Sequence, residues 1–391
     1  MSLMETPRSD RVHIALFGRR NAGKSSFINA LTGQPLAIVS DTPGTTADPV
    51  YKSIEIFGIG PCVLIDTAGL DDEGDLGKLR VEKSRKVLNK ADVALLIISA
   101  GQRDFEMERQ WLSDFKRMGV KPLVIVNKAD LEGGEETASL ARSALKTEVL
   151  LASARTGMGM EAVFEAIRAL PVDFERVSLT GHLVKAGDRV VLVMPQDIQA
   201  PRGRLILPQV QVLRDLLDRG AIAVCTTPGS LDEALCPPPA LIITDSQVFP
   251  QVYAKKPEGS RLTSFSVLMA REKGDIEVFA RGAAVIDQLR DGDRVLIAEA
   301  CSHNPQDGDI GRVKIPSLLK KRAAVEVDVV SGQNFPEDLS PYKLVIHCGG
   351  CMFNRRYMMS RIEQCRIAGV PITNYGIALA HMSGILEHVE L

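Results

Sequence analysis

The chain has 391 residues; 45% are hydrophobic, 47 are Lys or Arg and 49 are Asp or Glu, a formal net charge of −2. At roughly 150 residues per domain, this length implies two to three domains with ample apolar content for separate cores. A charge so nearly balanced supplies no field to gather nucleic acid or an anionic membrane surface, and neither is expected as a partner.

The longest strongly apolar stretches, such as VALLIISA at 93–100, fall well short of the roughly 20 residues of a spanning helix. The opening MSLMETPRSD holds no apolar run of the signal-peptide kind, so a cytoplasmic location is the expectation. The seven cysteines are odd in number and widely spread, which favours reduced thiols and a metal site over a disulfide framework.

From 12 to about 170, short apolar runs alternate with helical patterns: VHIALFG (12–18), SIEIF (53–57), CVLIDT (62–67), VALLIIS (93–99), PLVIVNK (122–128) and EVLLAS (148–153). Fully apolar strands separated by helices predict an α/β unit whose mostly parallel sheet is covered on both faces. Its first strand runs into Gly18–Ser25, GRRNAGKS, which fits G-x-x-x-x-G-K-[ST]. A glycine-rich loop opening a helix aims backbone N–H groups at an anion, so Asn21, Ala22, Gly23, Lys24, Ser25 and Ser26 form a candidate phosphate cradle. Lys24 would reach the β- and γ-phosphates and the Ser25 hydroxyl would bind Mg²⁺.

Three further segments follow in the expected order. Asp66-Thr67-Ala68-Gly69 ends one strand, placing a carboxylate near the Mg²⁺ and a glycine amide near the γ-phosphate. Asn127-Lys128-Ala129-Asp130 ends another, and the Asp130 carboxylate can accept from the two N–H donors on the guanine edge. Ser153-Ala154 ends the last strand, where a backbone N–H would meet the guanine O6. Any one fragment is explained by a surface turn; all four in register point to GTP.

A second unit begins near Gly181, with RVVLVMP (189–195), a helical PQVQVLRDLLDRG (208–220), AIAVCTT (221–227) and ALIITD (240–245). It is also α/β, carries neither phosphate loop nor ligand cluster, and is read as the interface of a homodimer. Residues 251–261 turn polar with Pro and Gly, as a linker would. A third unit holds a helical stretch at 275–290 and strands RVLIAEA (294–300), AAVEVDVV (323–330) and YKLVIHC (342–348). The expected divisions are 1–172, 181–261 and 262–391.

Two short motifs close the strands of the third unit. Cys301-Ser302-His303 follows 294–300, and His347-Cys348-Gly349-Gly350-Cys351 follows 342–346. Parallel strands deliver their carboxyl ends to one sheet edge, so the two motifs can converge. Neighbours on an extended chain point to opposite faces, which argues against His347 and Cys348 both being ligands. Thiolates from Cys301, Cys348 and Cys351 leave a fourth position open, which suits an exchangeable 4Fe–4S cluster. A structural zinc closed by His303 or His347 is the alternative, and an empty site the third. Cys62, Cys225, Cys236 and Cys365 are assigned to packing or plain surface.

On the four nucleotide motifs, residues 12–170 resemble the translation-factor-like GTPases, in the branch that includes Era and the tRNA-modification GTPase. The switch I pattern of that branch, P-G-T-T-x-D-P, stands at 43–49. The resemblance implies a Ras-like P-loop domain, a catalytic set of Lys24, Thr46, Asp66 and Gly69, and Thr46 as a second Mg²⁺ ligand. Leu70 stands where many small GTPases place a water-orienting glutamine. Asn21 occupies the position where potassium-dependent relatives use asparagine as a K⁺ ligand, so slow, K⁺-stimulated hydrolysis is implied.

The joint pattern, a GTPase followed by C-x-H and H-C-x-x-C, is similar to the family of GTPases that mature FeFe-hydrogenases, over essentially the whole chain. That resemblance implies a GTPase domain, a middle dimerisation domain and a domain binding a 4Fe–4S cluster. It also implies a scaffold that receives a di-iron precursor made with two radical S-adenosylmethionine maturases and passes it to the apo-FeFe-hydrogenase. The competing reading is a ribosome- or RNA-assembly GTPase with a structural zinc module. Balanced charge and the lack of a basic, aromatic-interleaved stripe weigh against it.

Overall fold

The computed structural model describes residues 10–33, 50–69, 74–170, 178–196, 205–300, 310–332, 334–350 and 353–391. Contacts divide the chain into two compact units, Met1–Glu175 and Arg176–Leu391.

In the first unit the elements run β1 (Val12–Phe17), α1 (Lys24–Thr32), β2 (Val50–Ile56), β3 (Gly60–Asp66), α2 (Gly74–Leu88), β4 (Val93–Ser99), α3 (Glu106–Arg117), β5 (Lys121–Asn127), α4 (Gly134–Leu145), β6 (Val149–Leu151) and α5 (Met160–Ala169). They form one sheet in the order β2-β3-β1-β4-β5-β6. β2 is antiparallel to β3 and every other pair is parallel. The alternation of side chains explains the apolar runs: Ala15 and Phe17 enter the core under α3, while Ile14 and Leu16 enter the core under α1 and α5. The rings of Phe17, Trp111 and Phe115, with centroids 5.0–5.9 Å apart, fasten α3 beside the end of β1.

The second unit continues with β7 (Arg189–Val193), α6 (Leu207–Asp218), β8 (Ile222–Thr226), α7 (Leu231–Ala234), β9 (Leu241–Thr244), α8 (Phe249–Lys255), β10 (Arg261–Ser264) and α9 (Phe265–Lys273). It closes with α10 (Ile276–Ala284), β11 (Arg294–Glu299), α11 (Ile315–Lys320), β12 (Glu326–Ser331), β13 (Leu344–His347), α12 (Arg355–Ala368), β14 (Ile372–Asn374) and α13 (Tyr375–Met382). Two four-stranded sheets result, β10-β9-β7-β8 and β12-β11-β13-β14, all parallel. In each, the first strand in sequence is flanked by later strands on both sides, the arrangement that opens a crevice at the carboxyl edge.

The linker expected at 251–261 is not one. Its first half is α8, with Phe249 and Val252 buried, and Arg261 opens β10 on the edge of the middle sheet. The polar, Pro- and Gly-containing composition belongs to a short helix-to-strand turn, in which the Ser260 amide donates to the Pro257 carbonyl. Among the described residues no helix is long and apolar enough to cross a membrane.

The packing of α10 on β14 leaves no room for a side chain at Gly282. A Cβ there would lie 2.0 Å from the Ile372 carbonyl oxygen. Gly282→Ala is therefore expected to cost about 1–3 kcal/mol in denaturant unfolding, while Gly229→Ala, which meets only Thr227 at 3.8 Å, should stay within about 0.5 kcal/mol. Equal effects from the two would contradict this packing.

Candidate functional site

Residues Gly18–Gly23 form the loop between β1 and α1. Gly23 caps the helix in the left-handed region at φ 90°, and a Cβ on it would sit 2.4 Å from Asn127 Nδ2, so conformation and space both require glycine. Asn21 is left-handed too, at φ 60°, a region its residue type tolerates. The buried Lys24 crosses beneath the loop and donates from Nζ to the carbonyls of Gly18 at 2.8 Å and Arg19 at 2.9 Å. Ser25 Oγ donates to Asp66 Oδ2 at 2.6 Å.

The other oxygen of Asp66, Oδ1, is buried without a hydrogen-bond partner. Burial pushes the Asp66 carboxyl above the ordinary range, against the opposing effects of the Ser25 hydrogen bond and the Lys24 charge. A hydroxyl and an orphaned carboxylate oxygen at a phosphate loop form an oxygen donor set suited to a hydrated Mg²⁺. Gly69 lies at the end of the described segment after β3, whereas Thr46 and Leu70 lie outside the described residues.

Asn127 rivets the phosphate loop to the base side of the site. It is buried, its Nδ2 donates to the Ala22 carbonyl at 3.0 Å, and its Oδ1 accepts from the Ala154 amide at 3.0 Å. Lys128, left-handed at φ 62°, donates from Nζ to the Asn21 carbonyl at 2.8 Å. The exposed Asp130 accepts from Ser153 Oγ at 2.5 Å, and that hydrogen bond holds its carboxyl below the usual range. The Ser153 amide donates to the Met158 carbonyl. Neither amide of the Ser153-Ala154 pair, from which one was expected at the guanine O6, is thus left unengaged within the protein, while the Asp130 carboxylate is exposed. Ser26 sits in the first turn of α1 and is half-buried.

Sequence reasoning missed a clamp on this loop. Arg19 donates from Nε to Glu108 Oε1 at 2.8 Å and from Nη2 to Glu108 Oε2 at 3.0 Å and Asp104 Oδ2 at 2.9 Å. The Glu108 side chain is fully buried, so this bidentate pair is shielded from solvent on one side and fixes the loop to α3. The partners stand 89 positions apart, and no spacing rule could have joined them.

At the other end of the chain, β11 and β13 are direct parallel neighbours, with Ala298 opposite His347. The residues after them leave the sheet on one edge, at its crevice. Cys348 Sγ accepts from the Ala300 amide at 3.0 Å, and the Cys348 amide donates to the Ala298 carbonyl at 2.9 Å. An amide aimed at sulfur suits a thiolate, the form a metal takes. Cys301, His303 and Cys351 lie outside the described residues. Among the described residues no three His, Cys, Asp or Glu side chains gather as a metal site.

His347, considered as a nearby ligand, is turned into the interior, in keeping with the alternation along a strand. It is wholly buried; Nδ1 donates to the Cys348 carbonyl at 2.7 Å, and Nε2 accepts from Arg361 Nη1. Burial first, and the Arg361 charge second, push its pKa down to about 3. A neutral ring with both nitrogens committed has no lone pair to give a metal. Cys62 and Cys365 are buried, and burial pushes each thiol up to about 12, while Cys225 and Cys236 are exposed.

Three family profiles match. The one described as "Hydrogen maturase F dimerization domain" covers 179–274, "Hydrogen maturase F tetramerization domain" covers 277–390, and "50S ribosome-binding GTPase" covers 13–128. The tRNA modification GTPase MnmE of Pseudomonas aeruginosa (strain UCBPP-PA14) is 38% identical over 177 residues, 44% of this chain and 38% of that protein. MnmE of Desulfitobacterium hafniense (strain Y51) is 44% identical over 122 residues, 31% of this chain and 26% of that protein. The chain therefore spans well under half the length of these curated relatives. A solved structure of an Era variant from Aquifex aeolicus, bound to GDP and AlF4⁻, is 20% identical with a TM-score of 0.37, covering 63% of this chain and 98% of that one.

The folded pKa of Asp66 lies above its unfolded value, so stability falls as pH rises between the two, and the penalty is fully present above the folded value. Asp66→Asn should raise the Tm of the Mg²⁺- and nucleotide-free protein at pH 7 by roughly 2–4 °C, the shift that about 1 kcal/mol produces in a unit of this size; a lowered Tm in calorimetry would refute the buried penalty. Asp130→Asn should weaken GTP binding by about tenfold or more and favour xanthine over guanine nucleotide, as read by titration calorimetry. Unchanged GTP affinity would remove Asp130 from the base site.

Proposed function

The chain belongs to the hydrogen maturase F family, and from that premise we propose that it is a GTP-hydrolysing scaffold of FeFe-hydrogenase maturation. On this reading it holds a 4Fe–4S cluster, accepts a di-iron precursor made with radical S-adenosylmethionine maturases, and delivers it to the apo-hydrogenase in the cytoplasm. The middle unit joins two copies into a homodimer. One observation carries the reading: a GTPase site and a Cys348 thiol at the carboxyl-edge crevice of a parallel sheet occur in one chain, each on its own fold unit.

GTP binding requires Lys24 to exchange the Gly18 and Arg19 carbonyls for the β- and γ-phosphates, so the loop carries its countercharge before substrate arrives. Ser25, Asp66 and Thr46 would hold Mg²⁺, which when bound neutralises phosphate charge. The Gly69 amide would meet the γ-phosphate. Asp130 reads the guanine N–H donors, with the Ser153–Ala154 segment beside the base. Asn21, whose side chain makes no hydrogen bond among the described residues, would hold K⁺, which supplies charge in place of an arginine finger. Leu70 cannot orient the attacking water, so turnover is slow.

Cys301, Cys348 and Cys351 would hold the cluster as thiolates, with the Ala300 amide supporting Cys348. The cluster supplies an iron with a position that an incoming ligand can take. Because three cysteines account for the protein's share, that position is open to the precursor.

The two ends should fail separately. Cys348→Ser should lose most of its iron and keep GTP hydrolysis, since a hard alkoxide replaces a soft thiolate. Lys24→Ala should lower hydrolysis by about 100-fold or more and keep the iron of the parent. Hydrolysis in the parent should be faster in K⁺ than in Na⁺ at equal ionic strength, and Asn21→Ala should erase the difference. Full iron in Cys348→Ser, or equal rates in the two salts, would refute the corresponding half of the proposal.

A further inference from the structure

Arg361 on α12 is among the largest fully buried side chains of the molecule, with 1% of its surface exposed. Its guanidinium lies against three rings, 4.7 Å from the centroid of Phe335 and 4.8 Å from those of Phe353 and Tyr357. Nη1 donates to His347 Nε2, and Nη2 donates to the Gly332 carbonyl at 2.6 Å and Tyr357 Oη at 3.4 Å. Nε has no acceptor. Every partner is neutral, and among the described residues no carboxylate pairs with it. A guanidinium remains charged at any physiological pH, so the interior holds a cation whose burial is not offset by an anion there.

A metal-bound thiolate at Cys348, the residue after His347, would supply that anion. His347 bridges the two as a neutral relay, accepting from Arg361 and donating to the Cys348 carbonyl. The contact with Tyr357, and after it attraction to Cys348 and Cys365, opposes the fall in the Arg361 pKa that burial causes. The aromatic faces keep the guanidinium out of water, so its field reaches the sheet edge with little screening.

We propose that Arg361 is the fixed counter-cation of the thiolate site: it offsets the negative charge of the metal-bound Cys348 thiolate and raises the reduction potential of the cluster held there. The inference rests on the cluster reading above. Reduction adds one electron, and so one negative charge, to a site already carrying thiolates; a buried positive charge beside it favours the reduced form.

The test uses the full chain, reconstituted anaerobically with iron and sulfide, as the parent, Arg361→Gln and Arg361→Lys. Iron content, the EPR signal of the dithionite-reduced protein and a mediated potentiometric titration are read for each. The Gln variant should lower the one-electron reduction equilibrium at least tenfold, about 59 mV more negative. The Lys variant, which keeps the charge and loses the planar ring contacts, should recover most of that. A Gln variant at the parent's potential overturns the proposal, as does a Lys variant shifted as far as Gln, which would mean that Arg361 only fills space. If Arg361→Gln does not fold, Phe335→Leu opens one face of the guanidinium to water and should shift the potential the same way by a smaller factor; the parent's potential there overturns the proposal. A parent that binds no iron overturns the cluster reading and this inference together, whereas iron in the parent with an unshifted Gln variant overturns this inference alone.

Discussion

Parallel strands cannot be joined by a hairpin; each pair needs a crossover, and the helices in those crossovers close both faces of the sheet. Chemistry is then confined to the strand ends. All three sheets place their first strand between later ones, so the loops beyond β1, β7 and β11 open at their crevices. The phosphate loop follows β1, Asp66 ends β3, Asn127 ends β5, Ser153 follows β6 and Cys348 follows β13. A single topological constraint therefore places both the phosphate-loop residues and Cys348 at sheet edges, on separate fold units.

The energetics of the two sites share a form. Each holds a charge that the folded chain does not fully compensate: Asp66 with one buried oxygen lacking a partner, and Arg361 with a buried guanidinium among neutral groups. An unsatisfied buried polar group costs about 1–3 kcal/mol, and more when charged. On the proposed function that cost is recovered when a complementary charge arrives, a cation at Asp66 and a metal-bound thiolate near Arg361. The surrounding structure is rigid enough to bear it, through the Asn127 rivet, the Arg19 to Glu108 clamp and the three-ring cage.

Much of this was legible because the relevant signals are local. Continuous apolar runs such as VALLIIS declare strands buried on both faces, and the phosphate loop has its full chemistry within eight residues. What escaped is non-local or short. The clamp of Arg19 on Glu108 and the contact of Arg361 with His347 join residues from different elements, and neither pair carries a spacing signature. β14 has three residues, too few for any period to show. The segment 251–261 misread as a linker because a tight turn and a linker draw on the same residues, and only the pairing of β10 with β9 separates them. Strand alternation sets His347 and Cys348 on opposite faces, and the contact with Arg361 accounts for His347 facing inward.

On the proposed function, one chain couples a GTPase to a thiolate-held iron–sulfur site. Metal analysis of the anaerobically reconstituted parent chain, with its visible absorption, tests this most directly. About four irons per chain with the broad brown absorption of a 4Fe–4S cluster is the predicted result. A colourless protein holding one tightly bound zinc per chain would contradict it.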